Sequence, residues 1–215
     1  MSAPELTDLF RNYKIIDLSV EVRPGVQKID GNYHWGNQIR KFEIRQFIAL
    51  GPHFMYWVDT ETHVGTHVEL PAHIIEGSKS PTEMPLEIFM GKAIVLRFDS
   101  PLITPADLTK VEAGDIVLMW SPGGRMPLIS AESAKLLAEK PIKMLGVQNV
   151  AAGNDTHEAL LGKKEMPIPI IEELAHLEEI KAERVFFIGL PLRVAELDSS
   201  WIRAIALEPV NEEKT

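Results

Sequence analysis

Short hydrophobic runs, separated by polar or glycine-containing segments, recur along the whole chain. Most are rich in Val, Ile, Leu and Phe and end at Gly, Pro or Asp, a pattern that indicates buried strands. The predicted strands are residues 13–22, 41–50, 54–58, 91–98, 114–120, 143–147, 168–172, 184–189 and 203–207. Many strands, few helices and short connections predict an α/β or α+β fold with a mixed central sheet, and α/β is the class that we adopt.

Helical signals are fewer than strand signals. Ser130 before residues 131–140 gives the clearest helix, because a serine at this position can cap the first turn. Thr104 followed by Pro105 predicts the N-cap and first position of a short helix. Further short helices or turns are predicted at residues 3–13, 85–89 and 173–180, and residues 148–158 have the polar composition of a loop.

Composition and charge narrow the classes of function. No repeat or linker divides the chain, so residues 1–215 are interpreted as one domain. The formal net charge of −9 argues against non-specific binding to nucleic acid or to anionic membranes. The absence of cysteine excludes disulfides, thiolate ligands and a cysteine nucleophile. No apolar run reaches ~18 residues and no signal peptide pattern is visible, so we expect a cytoplasmic protein that acts on a small molecule.

A stretch of alternating ligand-type and apolar residues lies at positions 61–73. Its odd positions carry His63, His67, Glu69 and His73, and its even positions carry Val64, Thr66, Val68, Leu70 and Ala72. Because successive side chains of a strand point to opposite faces, an extended conformation would gather three imidazoles and one carboxylate on one face. Burying such a face is costly unless its groups are paired or bind metal, and Zn²⁺ and Mn²⁺ prefer these ligands.

Two later residues could complete a metal site, although each also has an ordinary structural explanation. His157 lies in the predicted polar loop, where a lone histidine is commonly solvated. Glu172 follows the apolar residues 168–171 and could be carried inward, but a glutamate that begins a helical turn is commonly a cap. The residues alone leave both explanations open.

The histidine-rich stretch resembles the signature of the cyclase family of metal-dependent hydrolases. That signature reads His-x-Gly-Thr-His-x-Asp-x-Pro-x-His, and the chain has His63-x-Gly65-Thr66-His67-x-Glu69-x-Pro71-x-His73. The resemblance extends over nearly the whole chain, through residues 16–19, 162–177, 191–193 and 203–204. It implies a swivelling β/β/α domain, assembly into homodimers or homotetramers, and a centre with one or two divalent metal ions.

The resemblance also implies roles for individual residues. By position, His63, His67 and Glu69 would bind one metal ion, and Glu69 would bridge to a second ion shared with His157 and Glu172. His73 matches the position of the family's general base or acid. The implied activity is hydrolysis of a non-peptide amide or lactam C–N bond, of the N-formylkynurenine or isatin type. Nitrogen and oxygen ligands suit Zn²⁺ and Mn²⁺ alike, so the choice of metal stays open.

The chain departs from the family pattern at three places. Glu69 stands where the family has Asp, which adds one methylene to the expected ligand. Gln148 stands where a carboxylate is usual after the strand at 143–147. Trp120 replaces a small polar residue and suggests an aromatic-lined pocket, although ordinary core packing is the alternative. The other aromatic residues considered for that pocket are Tyr33, Trp35 and Trp57.

Three functions therefore compete. The first is metal-dependent hydrolysis of an amide or lactam, in which a histidine moves the proton of a metal-activated water. The second keeps the metal but acts on a lactone or catalyses a cyclisation. The third is a metal-binding protein without turnover, which the departures at Glu69 and Gln148 motivate.

Overall fold

The computed structural model describes residues 11–28, 39–48, 53–123, 126–163 and 165–210. The strands are β1 (Tyr13–Asp17), β2 (Gly25–Lys28), β3 (Ile39–Ile48), β4 (Phe54–Thr60), β5 (His67–Glu69), β6 (Met90–Arg97), β7 (Leu102–Ile103), β8 (Ile116–Trp120), β9 (Leu128–Ile129), β10 (Met144–Gln148), β11 (Ile170–Glu172), β12 (Arg184–Ile188), β13 (Ser199–Trp201) and β14 (Ile205–Pro209). The helices are α1 (Ala131–Glu139) and α2 (Asn154–Leu161), with 3-10 helices at Pro71–His73, Leu86–Phe89, Pro105–Leu108 and Leu177–Glu179.

A nine-stranded sheet organises the described part of the chain, in the order β1-β14-β12-β6-β8-β10-β11-β5-β13. Strands β6, β8, β10 and β11 run parallel, and the remaining pairs of this sheet are antiparallel. The prediction of an α/β fold with a mixed central sheet is confirmed. Two antiparallel pairings, β11 with β5 and β5 with β13, place the histidine-rich stretch near one end of the sheet.

Both faces of the central sheet are buried, which explains why its strands are nearly continuous apolar runs. On one face, Val117, Met119 and Leu145 pack with Leu137 of α1 and Leu160 of α2. The alternate residues of the same strands point into a second core. The sheet curls around that second core. The second core includes Ile16, Leu118, Ile171, Leu174, Phe187 and Ala206.

Local capping signals agree with the structure. Ser130 is the N-cap of α1 and its hydroxyl accepts a hydrogen bond from the Ser133 backbone N–H, so the predicted helix is confirmed. Thr104 caps the 3-10 helix Pro105–Leu108 through a reciprocal pair of hydrogen bonds with Asp107. The predicted helix at residues 3–13 lies mostly outside the described residues, and Tyr13 already belongs to β1.

Two predicted elements are wrong. The stretch 61–73 is not one extended strand, because only β5 pairs with neighbours, a turn precedes it and a 3-10 helix begins at Pro71. Residues 148–158 are not all loop, because α2 begins at Asn154 and carries His157 on its first turns. Polar residues at the start of a helix gave this segment the composition of a loop.

A second sheet of three strands, β2-β3-β4, carries an exposed aromatic surface. Side chains on both faces of β4 are exposed: Phe54, Met55, Tyr56, Trp57 and Val58. Trp57 is 63% exposed, so it is not part of a core. Tyr33 and Trp35 lie outside the described residues. Among the described helices, none is long and apolar enough to cross a membrane.

Candidate metal centre

The register of three neighbouring strands places the ligand-type residues on one sheet face. Glu172 of β11 lies opposite His67 of β5, and Ile170 lies opposite Glu69. Directly opposite residues of antiparallel strands point to the same face, so His67, Glu69 and Glu172 share it. Helix α2 covers this face and delivers His157.

The two remaining histidines reach the same place from outside β5. His63 lies in the turn before β5. Gly65 allows this turn to approach residues 20–22 closely. Gly65 has φ +76°, and a Cβ there would lie 2.3 Å from Val22 Cγ2, so the turn requires glycine. The 3-10 helix after Leu70 turns His73 back, so that its ring lies 4.7 Å from that of His63.

Glu69 is the common neighbour of the four imidazoles and is only 2% exposed. Its Oε1 lies 3.4 Å from His63 Nε2, 3.8 Å from His67 Nε2 and 3.6 Å from His73 Nε2. Its other oxygen, Oε2, lies 2.8 Å from His157 Nε2, which is in turn 3.8 Å from Glu172 Oε1. The structure thus brings together all six residues selected from the sequence.

The second ring nitrogen of each histidine lies near a polar partner. Nδ1 of His67 donates to Gly65 O at 2.7 Å, and Nδ1 of His157 donates to the carbonyl of residue 153 at 3.0 Å. Nδ1 of His63 lies 2.9 Å from Thr62 Oγ1, and Nδ1 of His73 lies 3.1 Å from Asp198 Oδ2. His73 Nδ1 also lies 3.2 Å from His63 Nε2. Partners on Nδ1 leave the Nε2 atoms to face Glu69, an arrangement typical of metal-binding histidines.

The residues present fit a divalent metal ion. His67 Nε2 is buried and has no hydrogen-bond partner within the described part of the chain, an arrangement that is costly unless the nitrogen binds something. Two groups offer ligand atoms that lie within 4.8 Å of one another: His63, Glu69 and His73, and His67, Glu69 and Glu172. Imidazole and carboxylate ligands suit both Zn²⁺ and Mn²⁺.

The pKa values of the two glutamates at the centre shift in opposite directions. Burial would raise the pKa of Glu69, but its hydrogen bond with His157 and the neighbouring imidazoles of His63 and His67 hold that pKa well below its usual range. Burial, together with the charge of Glu69, raises the pKa of Glu172 to about 7. Burial would lower the pKa of His157, but its hydrogen bond with Glu69 outweighs this and raises the pKa to about 9.

A family model and several relatives match this chain. The model named Cyclase (Putative cyclase) matches residues 16–153, which is more than half of the chain. The chain belongs to the cyclase family. The kynurenine formamidase of Erythrobacter litoralis is 26% identical, over 91% of this chain and 94% of that protein. The kynurenine formamidase of Salinibacter ruber is also 26% identical, over 89% of this chain and 96% of that protein.

Solved structures of cyclase-family proteins confirm the fold class. Isatin hydrolase A from Labrenzia aggregata, bound to benzyl benzoate, superposes with a TM-score of 0.77 at 18% identity. The match covers 98% of this chain and 100% of that one. A structure described as a potential metal-dependent hydrolase with cyclase activity gives a TM-score of 0.73 at 20% identity, over 92% and 99% of the two chains.

The structure gives physical reasons for two departures from the family signature. The long side chain of Glu69 reaches three histidines with one oxygen and His157 with the other. Gln148 points away from the candidate metal centre. Its amide oxygen accepts a hydrogen bond from Leu177 N at 2.8 Å, and its amide nitrogen donates one to Glu178 at 2.8 Å. Gln148 therefore joins the end of β10 to a 3-10 helix. Trp120 is partly buried, packs against the sheet core and carries Arg97 over its ring.

Asp198 is the residue at this centre that the sequence interpretation missed. Its Oδ2 lies 3.1 Å from His73 Nδ1, and its Oδ1 accepts a hydrogen bond from Thr62 Oγ1 at 3.0 Å. Burial would raise the pKa of Asp198, but the hydrogen bond with His73 lowers it overall. Ser199 Oγ lies 3.5 Å from His63 Nδ1. Asp198 directly precedes β13, and its partner His73 is 125 residues away in the sequence, so no local pattern pointed to it.

Metal binding near neutral pH is expected to release protons. The pKa of His157 is raised to about 9, so Nε2 is protonated at about pH 8 and must lose that proton before it binds metal. The metal affinity should therefore rise with pH until about pH 9 and fall on the acid side, where Glu172 also becomes protonated. Calorimetric titration of Zn²⁺ in two buffers with different ionisation enthalpies measures this release.

Equal heats in both buffers, or an affinity that stays constant as the pH changes, would contradict this assignment. His176→Ala is the matched control, because His176 is a half-exposed histidine that pairs with Glu179 rather than with the centre. That variant should release the same number of protons as the unchanged protein.

Proposed function

We propose that this protein is a metal-dependent hydrolase that cleaves the C–N bond of a non-peptide amide or lactam, of the N-formylkynurenine or isatin type. The observation that carries the proposal is the convergence of four imidazole Nε2 atoms on Glu69. One of them, His67 Nε2, is buried and has no hydrogen-bond partner in the described structure. The names of the relatives, kynurenine formamidase and isatin hydrolase, support the type of bond.

His63, His67, Glu69, His157 and Glu172 would hold one or two divalent ions. When bound, Zn²⁺ or Mn²⁺ polarises a carbonyl group and lowers the pKa of water from ~15.7 towards ~7. Glu69 belongs to both groups of candidate ligands and is the residue in this set that would bridge two ions. The site is largely buried, and the negative charges of Glu69 and Glu172 would balance part of the positive charge of a metal ion bound there.

His73 is the candidate for the proton-transfer step. The contact with Asp198 orients the imidazole through Nδ1 and leaves Nε2 as the atom that accepts a proton. Nε2 faces the same oxygen of Glu69 as the Nε2 atoms of His63 and His67, so it lies beside the place where water and substrate would meet. A proton taken there from the attacking water can be delivered to the leaving nitrogen. Asp198 would act through His73, as a positioning residue.

We also propose that the protein assembles as a homodimer or homotetramer. Support comes from β4, whose aromatic and aliphatic side chains are exposed on both of its faces, since contiguous exposed apolar surface commonly marks an interface. Light scattering on the purified protein tests the assembly. A monomer at all accessible concentrations would contradict it.

The test of the activity combines metal analysis with a substrate panel. The protein is loaded with Zn²⁺ or Mn²⁺, its metal content is measured, and N-formylkynurenine, isatin and a series of lactones are supplied. Turnover of an amide or lactam that disappears on chelation supports the proposal. Turnover restricted to lactones would favour the second hypothesis. Full metal occupancy without any turnover would favour a metal-binding protein without catalysis.

A further inference from the structure

Trp201 lies on the same sheet face as the candidate metal centre. On β13 it stands directly opposite His67 of β5, which itself stands opposite Glu172 of β11. Directly opposite residues of antiparallel strands point to the same face, with their Cβ atoms ~5 Å apart. Ser199, two residues earlier on the same face of β13, has its hydroxyl 3.5 Å from His63 Nδ1. This face of β13 therefore borders the centre.

The indole N–H of Trp201 is a donor without an acceptor. Nε1 is shielded from solvent and has no hydrogen-bond partner among the residues that the structure describes. An indole nitrogen can only donate, and buried indoles usually find a partner, so this group is suited to an acceptor that arrives with a ligand.

The aromatic surroundings of Trp201 indicate what kind of ligand fits. The ring of Phe42 meets the indole edge-on, with centroids 5.7 Å apart and an interplanar angle of 65°. Phe42 lies opposite Thr60 in the register of β3 and β4, and Thr60 Oγ1 is also buried without a partner in the described chain. Two unpaired polar groups beside a pair of aromatic rings suit a flat ring that carries an oxygen acceptor.

We propose that Trp201 is a specificity-determining residue, whose indole N–H donates a hydrogen bond to a second oxygen of an aromatic amide substrate. That oxygen is a carbonyl group on the ring, separate from the carbonyl of the bond that is cleaved. A neutral carbonyl oxygen suits this position, because the indole N–H is a single uncharged donor. The inference rests on the proposed function, since it names the substrate class of the same site.

The test compares Trp201→Phe with the unchanged enzyme on two substrates. 2′-Formamidoacetophenone carries a ketone beside its formamide, as N-formylkynurenine does, but has no amino-acid side chain, whereas formanilide has the same type of bond without the second carbonyl. Loss of one neutral hydrogen bond lowers a rate or affinity by roughly five- to tenfold. We expect Trp201→Phe to lower kcat/KM by that factor for 2′-formamidoacetophenone, and to change it less than about twofold for formanilide.

Matched controls separate the hydrogen bond from packing. Trp120→Phe makes the same chemical change at a tryptophan that packs against the core on the other face of the sheet, and it should alter neither substrate. Phe42→Leu removes the edge-on ring contact but keeps the indole N–H, so it should affect both substrates by similar factors. Equal loss for both substrates in Trp201→Phe, or no loss for either, would overturn the proposal.

A measurement on the unchanged protein keeps the inference testable if Trp201→Phe fails to fold. In ¹⁵N-labelled metal-loaded protein, titration with kynurenine should move the Trp201 indole N–H resonance downfield, and titration with aniline should not. The Trp57→Phe spectrum assists assignment of the indole signals. Absence of the shift at saturating kynurenine would overturn the role of Trp201. Absence of turnover by the unchanged enzyme would instead count against the proposed function.

Discussion

Replacing Glu69 by glutamine is expected to weaken the binding of Zn²⁺ or Mn²⁺ by more than ~100-fold. Loss of a residue that only hydrogen-bonds to a metal ligand typically weakens binding by ~10- to 100-fold, and the loss of a ligand should exceed this. Glutamine keeps the length and shape of the side chain but removes its charge and one of its two acceptor oxygens. One oxygen of Glu69 faces three histidines and the other faces His157. Among the described residues, Glu69 is also the member common to both groups of candidate ligands. Metal content after dialysis and competition with a chelator measure the change.

Two further variants separate the charge of Glu69 from the length of its side chain and from a general effect of losing a glutamate. Glu76→Gln makes the same change at an exposed glutamate a few residues away and should bind metal normally. Glu69→Asp keeps the charge but shortens the reach, so we expect it to retain one ion and to lose affinity for a second. In the metal-free protein, Glu69→Gln should also lower the pKa of His157 and so reduce the proton release. Normal metal content in Glu69→Gln would show that the shared carboxylate does not hold the centre.

Replacing His73 by alanine is expected to leave metal binding intact and to lower kcat by ~100- to 10,000-fold, the usual size of general acid–base catalysis. His73 Nε2 is 3.6 Å from Glu69, and Asp198 orients the ring through Nδ1. Geometry alone also groups His73 with His63 and Glu69 as possible ligands. Measuring metal content and kcat on the same preparation separates the two roles.

The matched variants for His73 are His63→Ala and Asp198→Asn. His63→Ala should lose metal, because this histidine is one of the proposed ligands. Asp198→Asn should keep its metal and lose roughly tenfold in kcat, because it acts by orienting His73 rather than by moving the proton. Loss of metal in His73→Ala, with retention in His63→Ala, would exchange the roles that we assign to these two histidines.

The local part of the centre was readable from the sequence for a physical reason. His67 and Glu69 are two residues apart on a strand, so alternation alone puts them on one face, and Val68 between them is fully buried on the other. Alternation failed at both ends of the stretch, because Gly65 adopts a positive φ and Pro71 begins a 3-10 helix. His63 and His73 nevertheless reach the same place through those two turns.

The sequence by itself determined the mixed sheet, the caps of α1 and of the 3-10 helix Pro105–Leu108, and the shared face of His67 and Glu69, whereas resemblance to the cyclase family selected His157 and Glu172. Apolar periodicity, capping chemistry and ligand types depend on neighbours within a few residues, which explains these successes. Only the tertiary structure decided that α2 brings His157 to Glu69 across 88 residues, and that Asp198 meets His73 across 125. It also decided that Trp201 lies beside His67, because strand order and register are set by packing of the whole sheet and not by any local pattern.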